Sequence, residues 1–282
     1  MSTTATINAA PSATRGTAPR IHRVTRLGVL RSELSKFSSL RSSWITLGLT
    51  MLFVVGFGII SAVRYSPTGT TGGGPIGSSG ADNAVAIALG GQNFGQLAVG
   101  VLGVLFIAGE YSTGMIRSTL TAVPKRLPVL WSKATVIAIS VFVVSLIAVM
   151  VAFLGGEGSL TGTKVALSLF SSGVPGALLG AAGYFALVAV IGVALGALIR
   201  STAGGIAALV TMMLLLPVLT GILPGNWGND ISPYLPSNAG TAMFTLNHGS
   251  GTLSPGAGAA VFAGWALLLL LGAAYRLRRT DA

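Results

Sequence analysis

The sequence contains no cysteine and very few charged residues. Only 8% of its 282 residues are Asp, Glu, Lys or Arg, whereas 52% are hydrophobic. The absence of cysteine excludes disulfides, thiolate catalysis and cysteine-ligated zinc or iron–sulfur centres. A soluble domain carries roughly 25% charged residues, so this chain must expose apolar surface to a solvent other than water. The composition therefore predicts a protein of the lipid bilayer.

Two further absences narrow the function. The sequence has no Gly-Lys dipeptide, which excludes the GxxxxGK[ST] phosphate loop and ATP binding of that type. It has only two histidines and no HExxH motif, which weakens the hypothesis of a membrane enzyme.

Six segments lack any charged side chain and are each about 20 residues long or slightly longer, enough to cross a hydrocarbon core of roughly 30 Å as helices. They are residues 44–63, 90–109, 134–154, 176–199, 204–223 and 256–275. We therefore expect an all-α polytopic membrane protein with six transmembrane helices within residues 44–275.

The basic residues predict the orientation of these spans. Six spans place both termini on one side of the membrane, and the flanks and loops of that side contain 15 of the 17 Lys and Arg residues. The other side contains Arg64 and Lys164. By the positive-inside rule both termini are cytoplasmic, including a basic tail at 276–282.

The N-terminal region divides into two parts. Residues 1–25 are rich in Ala, Thr, Ser and Pro, which predicts a disordered cytoplasmic tail. In residues 26–43 the apolar and charged side chains fall on different helix faces, which predicts an amphipathic helix lying flat at the cytoplasmic interface. Its apolar face is formed by Leu27, Leu30, Leu34 and Phe37 and continues to Trp44. The alternative is a simple basic stop before the first span.

Two motif matches fall in the glycine-rich loop after the first span. Gly72, Gly74 and Gly77 fit GxGxxG, but no strand precedes them, so a dinucleotide site is not expected. The segment from Gly77 to Gly80 resembles the GxSG of intramembrane rhomboid proteases. The serine lies in a loop rather than at a helix end, and the one histidine outside the cytoplasm, His248, lies in another loop, so we do not expect a protease.

The segment between the second and third spans predicts a short helix. Ser112 or Thr113 is placed to cap its N-terminus and Pro124 to end it, while Pro128 suits the first turn of the next helix. Its apolar face is formed by Met115, Ile116 and Leu120. Such a helix is pinned at both ends by membrane spans and is suited to carry motion.

This segment resembles the ABC-2 family of ATP-binding-cassette transporter permeases, where GEYS-x-G-x-IR-x-TL recurs between the second and third spans. Similarity extends to Arg31–Leu34 and to Ser232–Gly240, so it covers nearly the whole chain beyond the tail. The resemblance implies a six-span subunit that dimerises and is driven by a separate ATPase. It also implies that a coupling helix contacts the ATPase, in a segment formed by Glu110, Tyr111, Ser112, Thr113, Gly114, Met115, Ile116, Arg117, Ser118, Thr119 and Leu120.

Glu110 admits two compatible interpretations. A carboxylate at the end of an apolar run is tolerated where it reaches water or a cation, and Arg117 and Lys133 are near in sequence. It is then an interfacial anchor that also favours the N-terminus of the short helix. Alternatively, it fixes the coupling helix against the second span. Arg117 either contacts the ATPase or serves only as a positive-inside residue.

Polar residues and a proline predict local features in the second span, in the fifth span and in the segment before the last span. Gln92, Asn93 and Gln96 lie in the outer half of the second span, and either bond a neighbouring helix or line a substrate pathway. Pro217 should bend the fifth span. Ser237 is placed to cap a short outer helix before the last span.

The expected function is that of the permease subunit of an ATP-driven exporter in a bacterial-type cytoplasmic membrane. The expected partners are an ABC ATPase, which binds ATP and Mg²⁺, a second permease copy and membrane lipids, with no nucleic acid. No cofactor, metal or catalytic residue is expected in this chain. The alternative is an energy-independent carrier or a membrane scaffold, although carriers usually bury ionisable residues in their spans and these spans contain none.

Overall fold

The computed structural model describes residues 25–65, 83–115, 126–220, 227–247, 249 and 251–279. Regular secondary structure in these ranges consists of helices alone. They are α1 Arg26–Ser39, α2 Arg41–Val63, α3 Ala84–Ala88, α4 Gln92–Ser112, α5 Arg126–Leu160, α6 Val174–Ile199, α7 Thr202–Thr220, α8 Trp227–Ile231, α9 Pro236–Thr241 and α10 Pro255–Arg279, with a 3₁₀ turn at Ser232–Tyr234.

Six of the described helices, α2, α4, α5, α6, α7 and α10, are long and apolar enough to cross a membrane. The prediction of an all-helical chain with six such helices is therefore confirmed for the described residues. Of the predicted tail at 1–25, all but Thr25 lies outside the description, as do both glycine motifs and His248.

Two of these helices extend beyond the charge-free segments 134–154 and 256–275. Helix α5 begins at Arg126, with Pro128 in its first turn as predicted, because a missing backbone N–H costs no hydrogen bond there. Lys133 therefore lies inside a helix. Helix α10 continues through Arg276 to Arg279, where basic side chains interact favourably with the helix dipole.

Helix α6 forms the centre of the bundle and packs against α4, α5 and α10. Glycine allows α4 and α6 to approach closely, because a Cβ at Gly192 would collide with the carbonyl oxygen of Gly100. A Cβ at Gly103 would likewise collide with the carbonyl oxygen of Ala189. The backbones thus meet along a stripe of small residues.

Helix α7 is irregular in its middle. Residues Thr211–Leu215 form a π-helical turn immediately before Pro217. Proline lacks a backbone N–H and its ring displaces the preceding turn, and a wider turn accommodates both effects. The irregularity at Pro217 thus takes the form of a π-turn.

Helix α1 forms where an amphipathic helix is predicted, but its faces differ from the prediction. The helix ends at Ser39, and extended backbone at Leu40 separates it from Trp44 in α2. Leu27 is 78% exposed, whereas Phe37, predicted on the same face, is buried. Packing against α5 explains this difference, because it buries a face that also contains Val29 and Glu33. That buried face matters for the site described next.

Candidate functional site

Four charged side chains from three helices meet where the end of α4 lies beside α1 and the start of α5. Lys133 Nζ donates to Glu33 Oε2 at 2.6 Å and to Glu110 Oε1 at 2.8 Å. Lys36 Nζ donates to Glu33 Oε1 and to Glu110 Oε1, both at 3.1 Å. We call Glu33, Lys36, Glu110 and Lys133 the ionic cluster. Two carboxylates and two ammonium groups balance its charge.

Three of the four side chains in the cluster, those of Glu33, Glu110 and Lys133, are almost entirely removed from solvent. The side chain of Lys133 is 0% exposed and that of Glu33 is 1% exposed. The ammonium of Lys133 also lies 4.5 Å from the centre of the Phe106 ring, a favourable cation–π contact, and Phe37 packs edge-on against that ring at 5.5 Å. Loss of one partner from a buried ion pair is strongly destabilising, so the cluster ties α1, α4 and α5 together.

Lys36 lies at the edge of the cluster, with 32% of its side chain exposed. Partial burial lowers the pKa of Lys36, but the carboxylates of Glu33 and Glu110 outweigh burial and raise that pKa above its ordinary value of 10.5. Lys36 is therefore fully charged near neutral pH.

The sequence analysis identified only part of this arrangement. For Glu110 the sequence left open water or a nearby cation, Arg117 or Lys133; the structure pairs it with Lys133, while Arg117 lies outside the described residues. Glu33 and Lys36 were placed on a polar helix face, yet Glu33 is buried. One signal was available: Glu33 is the sole acid in the first 81 residues and stands three positions before a lysine on the predicted helix.

The segment after Glu110 begins differently from its prediction. Tyr111 and Ser112 belong to the last turn of α4 and Thr113 is its C-cap, so the prediction that Ser112 or Thr113 caps the start of the following helix is wrong. The hydroxyls of Ser112 and Thr113 donate to the carbonyl of Gly109 at 3.0 and 2.9 Å. They therefore close α4, whose orphan carbonyls need donors.

The chain then turns at Gly114, whose φ of +73° is the left-handed region that favours glycine after a helix end. Helical backbone resumes at Met115. The predicted site residues Ile116, Arg117, Ser118, Thr119 and Leu120 lie outside the described residues.

A cavity of about 590 Å³ borders the ionic cluster. Lys36 and Glu110 contribute to its wall, and Glu110 Oε2 is a buried oxygen that has no hydrogen-bond partner. The rest of the wall combines apolar side chains with hydroxyls, namely Ser39, Leu40, Ser42, Ser43, Thr46, Leu102, Leu105, Phe106, Thr113 and Met115, together with Gly109. Helices α1, α2 and α4 thus enclose an amphipathic space beside the cluster.

Arginines connect the same end of α4 to two more helices. The guanidinium carbon of Arg200 lies 5.4 Å from the centre of the Tyr111 ring. Arg200 itself has a left-handed backbone, with φ of 59°, and ends α6. Arg276 of α10 donates to the carbonyl of Leu198. Five helices therefore converge at this end of the bundle.

The residues predicted to line a substrate pathway, Gln92, Asn93 and Gln96, lie at the start of α4, at the other end of this helix from Glu110. They have two different roles. Gln96 is 2% exposed and accepts a hydrogen bond from the hydroxyl of Tyr184 in α6. Its amide nitrogen donates to Asn93 Oδ1 at 3.0 Å. Gln96 therefore bonds a neighbouring helix, which is the alternative that the sequence left open for all three residues.

Gln92 and Asn93 instead line a cavity of about 260 Å³, which we call the amide cavity. The oxygen Gln92 Oε1 is buried and has no hydrogen-bond partner. The other lining residues come from α3 and from the chain around and after α9: Asn83, Ala86, Leu89, Gly90, Thr241, Phe244, Thr245 and Leu246. The geometry is compatible with a binding site there.

The short helix before the last span also differs in its cap. Helix α9 has Leu235 at its N-cap and Pro236 at its first position, so the prediction that Ser237 caps it is wrong. The side-chain oxygen of Ser237 is buried without a hydrogen-bond partner. Proline at the first position replaces the side-chain cap, because its φ is already helical.

Within the described part of the chain, no three His, Asp or Glu side chains are grouped as metal ligands would be. The sequence matches no protein-family model, and no curated protein matches it.

Proposed function

We propose that the chain is the membrane-spanning permease subunit of an ABC-2 type transporter. It assembles with a second permease copy and with a separate ATPase that binds ATP and Mg²⁺, and it exports its substrate across a bacterial-type cytoplasmic membrane. Residues 110–120 form the contact with the ATPase, and α1 lies at the cytoplasmic interface.

The ionic cluster is the observation that carries this proposal. Its member Glu110 is the first residue of the segment whose sequence resembles the ABC-2 coupling helix. Glu110 ends α4 and is held by Lys133 of α5 at 2.8 Å and by Lys36 of α1 at 3.1 Å. A force applied to residues 110–115 must therefore either move α1, α4 and α5 together or separate buried charges, which costs several kcal/mol.

The remaining contacts at this end extend the coupled unit. Tyr111 packs against Arg200 at the end of α6, and Arg276 of α10 bonds the carbonyl of Leu198 in α6. A push on the end of α4 would consequently act on the helix at the centre of the bundle. Rigid-body tilting of packed helices is a recognised way to convert such a push into alternating access.

The amide cavity provides the other half of the proposal. It lies at the opposite end of α4 from Glu110, about 27 Å away at 1.5 Å per helical residue. Since Gln92 and Asn93 move with α4, a tilt of this helix changes the shape of the cavity. The proposed function assigns these two residues to the substrate pathway.

Cross-linking tests the proposed contact with the ATPase. A photoreactive amino acid replaces Met115, which is 46% exposed, and the cells are irradiated before the membranes are solubilised. We expect an adduct with a polypeptide that contains a phosphate loop. The matched control replaces Thr161, an exposed residue just beyond the other end of α5, and should give no such adduct.

Two results would contradict the proposal. The first is the absence of any ATPase adduct at Met115 in membranes where the chain is correctly inserted, which would contradict the proposal that residues 110–120 contact the ATPase. An equal adduct at Thr161 would show that the adduct at Met115 does not report a specific contact with the ATPase. The first result favours the energy-independent carrier or scaffold.

A further inference from the structure

The amide cavity has a polar wall without an ionisable group among its described lining residues. Its lining includes three residues with carboxamide side chains, Asn83, Gln92 and Asn93, and two with hydroxyls, Thr241 and Thr245. All five side chains are neutral at every physiological pH. A charged ligand group in this cavity would lack a counter-charge, which makes its desolvation expensive.

Hydrogen bonds within the wall leave oxygen acceptors available to a ligand. The hydroxyl of Thr241 donates to the carbonyl of Asn238, and that of Thr245 donates to the carbonyl of Thr241, both at 2.9 Å. Each threonine proton is thus used, while the oxygen still has lone pairs. Gln92 lines the cavity, and its Oε1 is an acceptor with no partner in the protein, although that oxygen is itself buried in the structure. A ligand that donates hydrogen bonds satisfies the threonine oxygens directly, and Gln92 Oε1 after rotation of the Gln92 side chain.

Size and surroundings limit the ligand further. The cavity volume of about 260 Å³ lies below the roughly 300–1,000 Å³ of sites for drug-sized molecules, so it accommodates a group rather than a whole ligand of that size. Leu89, Phe244 and Leu246 supply an apolar wall beside the polar groups. The cavity also lies at the end of a helix long and apolar enough to span the membrane.

We infer that the amide cavity binds the uncharged, hydroxyl- or amide-bearing headgroup of an amphiphile. The identification of this amphiphile as the transported substrate rests on the proposed function. The binding site itself does not, because the cavity is formed by this chain alone.

The absence of cysteine allows a direct test of occupancy. Thr245→Cys introduces a single thiol into the full-length chain, which is reconstituted in lipid nanodiscs and reacted with a small uncharged maleimide. The probes are octyl glucoside, octyl sulfate and octyltrimethylammonium at equal membrane-bound concentrations. These three amphiphiles share a chain and differ in headgroup charge.

We expect the glucoside to slow labelling saturably by about tenfold, because its hydroxyls satisfy the buried acceptors. The two charged probes should leave the rate unchanged. Thr252→Cys, exposed and not among the described lining residues, is the control and should respond equally to all three probes. Asp82 precedes Asn83 in the sequence and lies outside the described residues. An acidic group near the cavity would favour a cation, so the cationic probe is the most demanding test of an uncharged ligand.

Two variants test the role of Gln92 in the Thr245→Cys background. Gln92→Leu should abolish protection by the glucoside. Gln92→Glu keeps the shape and adds a charge, so it should weaken protection by the glucoside and create protection by octyltrimethylammonium. If Gln92→Leu does not fold, the comparison of the three probes on Thr245→Cys alone still tests whether the cavity prefers an uncharged headgroup.

Equal protection by a charged probe, or protection by the glucoside that survives both Gln92 substitutions, would overturn the inference. This readout requires no ATPase. If the chain copurifies with an ATPase but the glucoside gives no protection, only the headgroup site is overturned; if the glucoside protects but no ATPase copurifies with the chain from its native membrane, only the transporter proposal is overturned.

Discussion

Lys133 is a fully buried ammonium whose charge is balanced by Glu33 and Glu110. Its replacement by Met leaves two buried carboxylates without this partner. We expect Lys133→Met to lower the free energy of unfolding by about 3–5 kcal/mol. The measurement is thermal unfolding of the purified protein in a mild detergent.

The control is Lys164→Met, which removes an exposed lysine and should change stability by less than about 0.5 kcal/mol. Adding Glu33→Gln and Glu110→Gln to Lys133→Met removes the uncompensated charges and should restore part of the loss. Equal stability of Lys133→Met and Lys164→Met would show that the cluster does not hold the three helices.

The buried hydroxyl of Tyr184 allows a second test at the residue scale. It donates to Gln96 Oε1, so Tyr184→Phe leaves a buried acceptor unsatisfied. We expect a loss of about 1–3 kcal/mol in the same unfolding assay. Tyr275→Phe removes an exposed hydroxyl and should be neutral. If the two substitutions have the same effect, the hydrogen bond to Gln96 contributes nothing measurable.

At the scale of helices, glycine sets the distance between α4 and α6. A methyl group at Gly192 collides with the carbonyl oxygen of Gly100, whereas one at Gly176 in the same helix meets nothing within 4 Å. Gly192→Ala should therefore cost about 1–3 kcal/mol by overpacking. Gly176→Ala should be neutral or stabilising by up to about 1 kcal/mol, since Ala favours the helix. Equal unfolding midpoints would contradict the packing described here.

The sequence predicted the long helices because bilayer thickness imposes a length and an apolar composition that are visible without any partner. It could not predict which face of α1 is buried. Glu33 and Phe37 stand four residues apart and so lie on the same face of the helix, but their burial depends on α5 covering that face, and the sequence of α1 alone does not specify this contact. Charge was used to delimit the apolar span, so Lys133 was counted at its cytoplasmic edge and its full burial was not predicted.

Capping patterns in the sequence also gave a wrong prediction where one residue could serve either the end of one helix or the start of the next. Ser112 and Thr113 resemble the cap of a following helix, yet their hydroxyls complete the end of α4. Gly114 supplies the positive φ that ends the helix, and its position after two hydroxyl residues was a usable signal. Pairing of Gln96 with Tyr184 requires tertiary structure and could not be predicted.

At the scale of the whole molecule, the distribution of Lys and Arg predicts the orientation in the membrane. In the cysteine-free chain, a cysteine at Thr252 should react in intact cells with an impermeant thiol reagent. A cysteine at Ser39, equally exposed in the structure, should react only after the membrane is opened. The reverse pattern would invert the topology and place residues 110–115 out of reach of a cytoplasmic ATPase.

The central claim is that a separate ATPase drives this chain through the end of α4. The most direct measurement is purification of the tagged protein from its native membrane in mild detergent, with identification of its partners and an assay of ATP hydrolysis. We predict a stoichiometric partner with a phosphate loop, and ATP hydrolysis that Glu110→Gln reduces while membrane insertion is retained. Recovery of the chain alone from several mild detergents, without ATP hydrolysis, would contradict the account and favour a passive carrier or a scaffold.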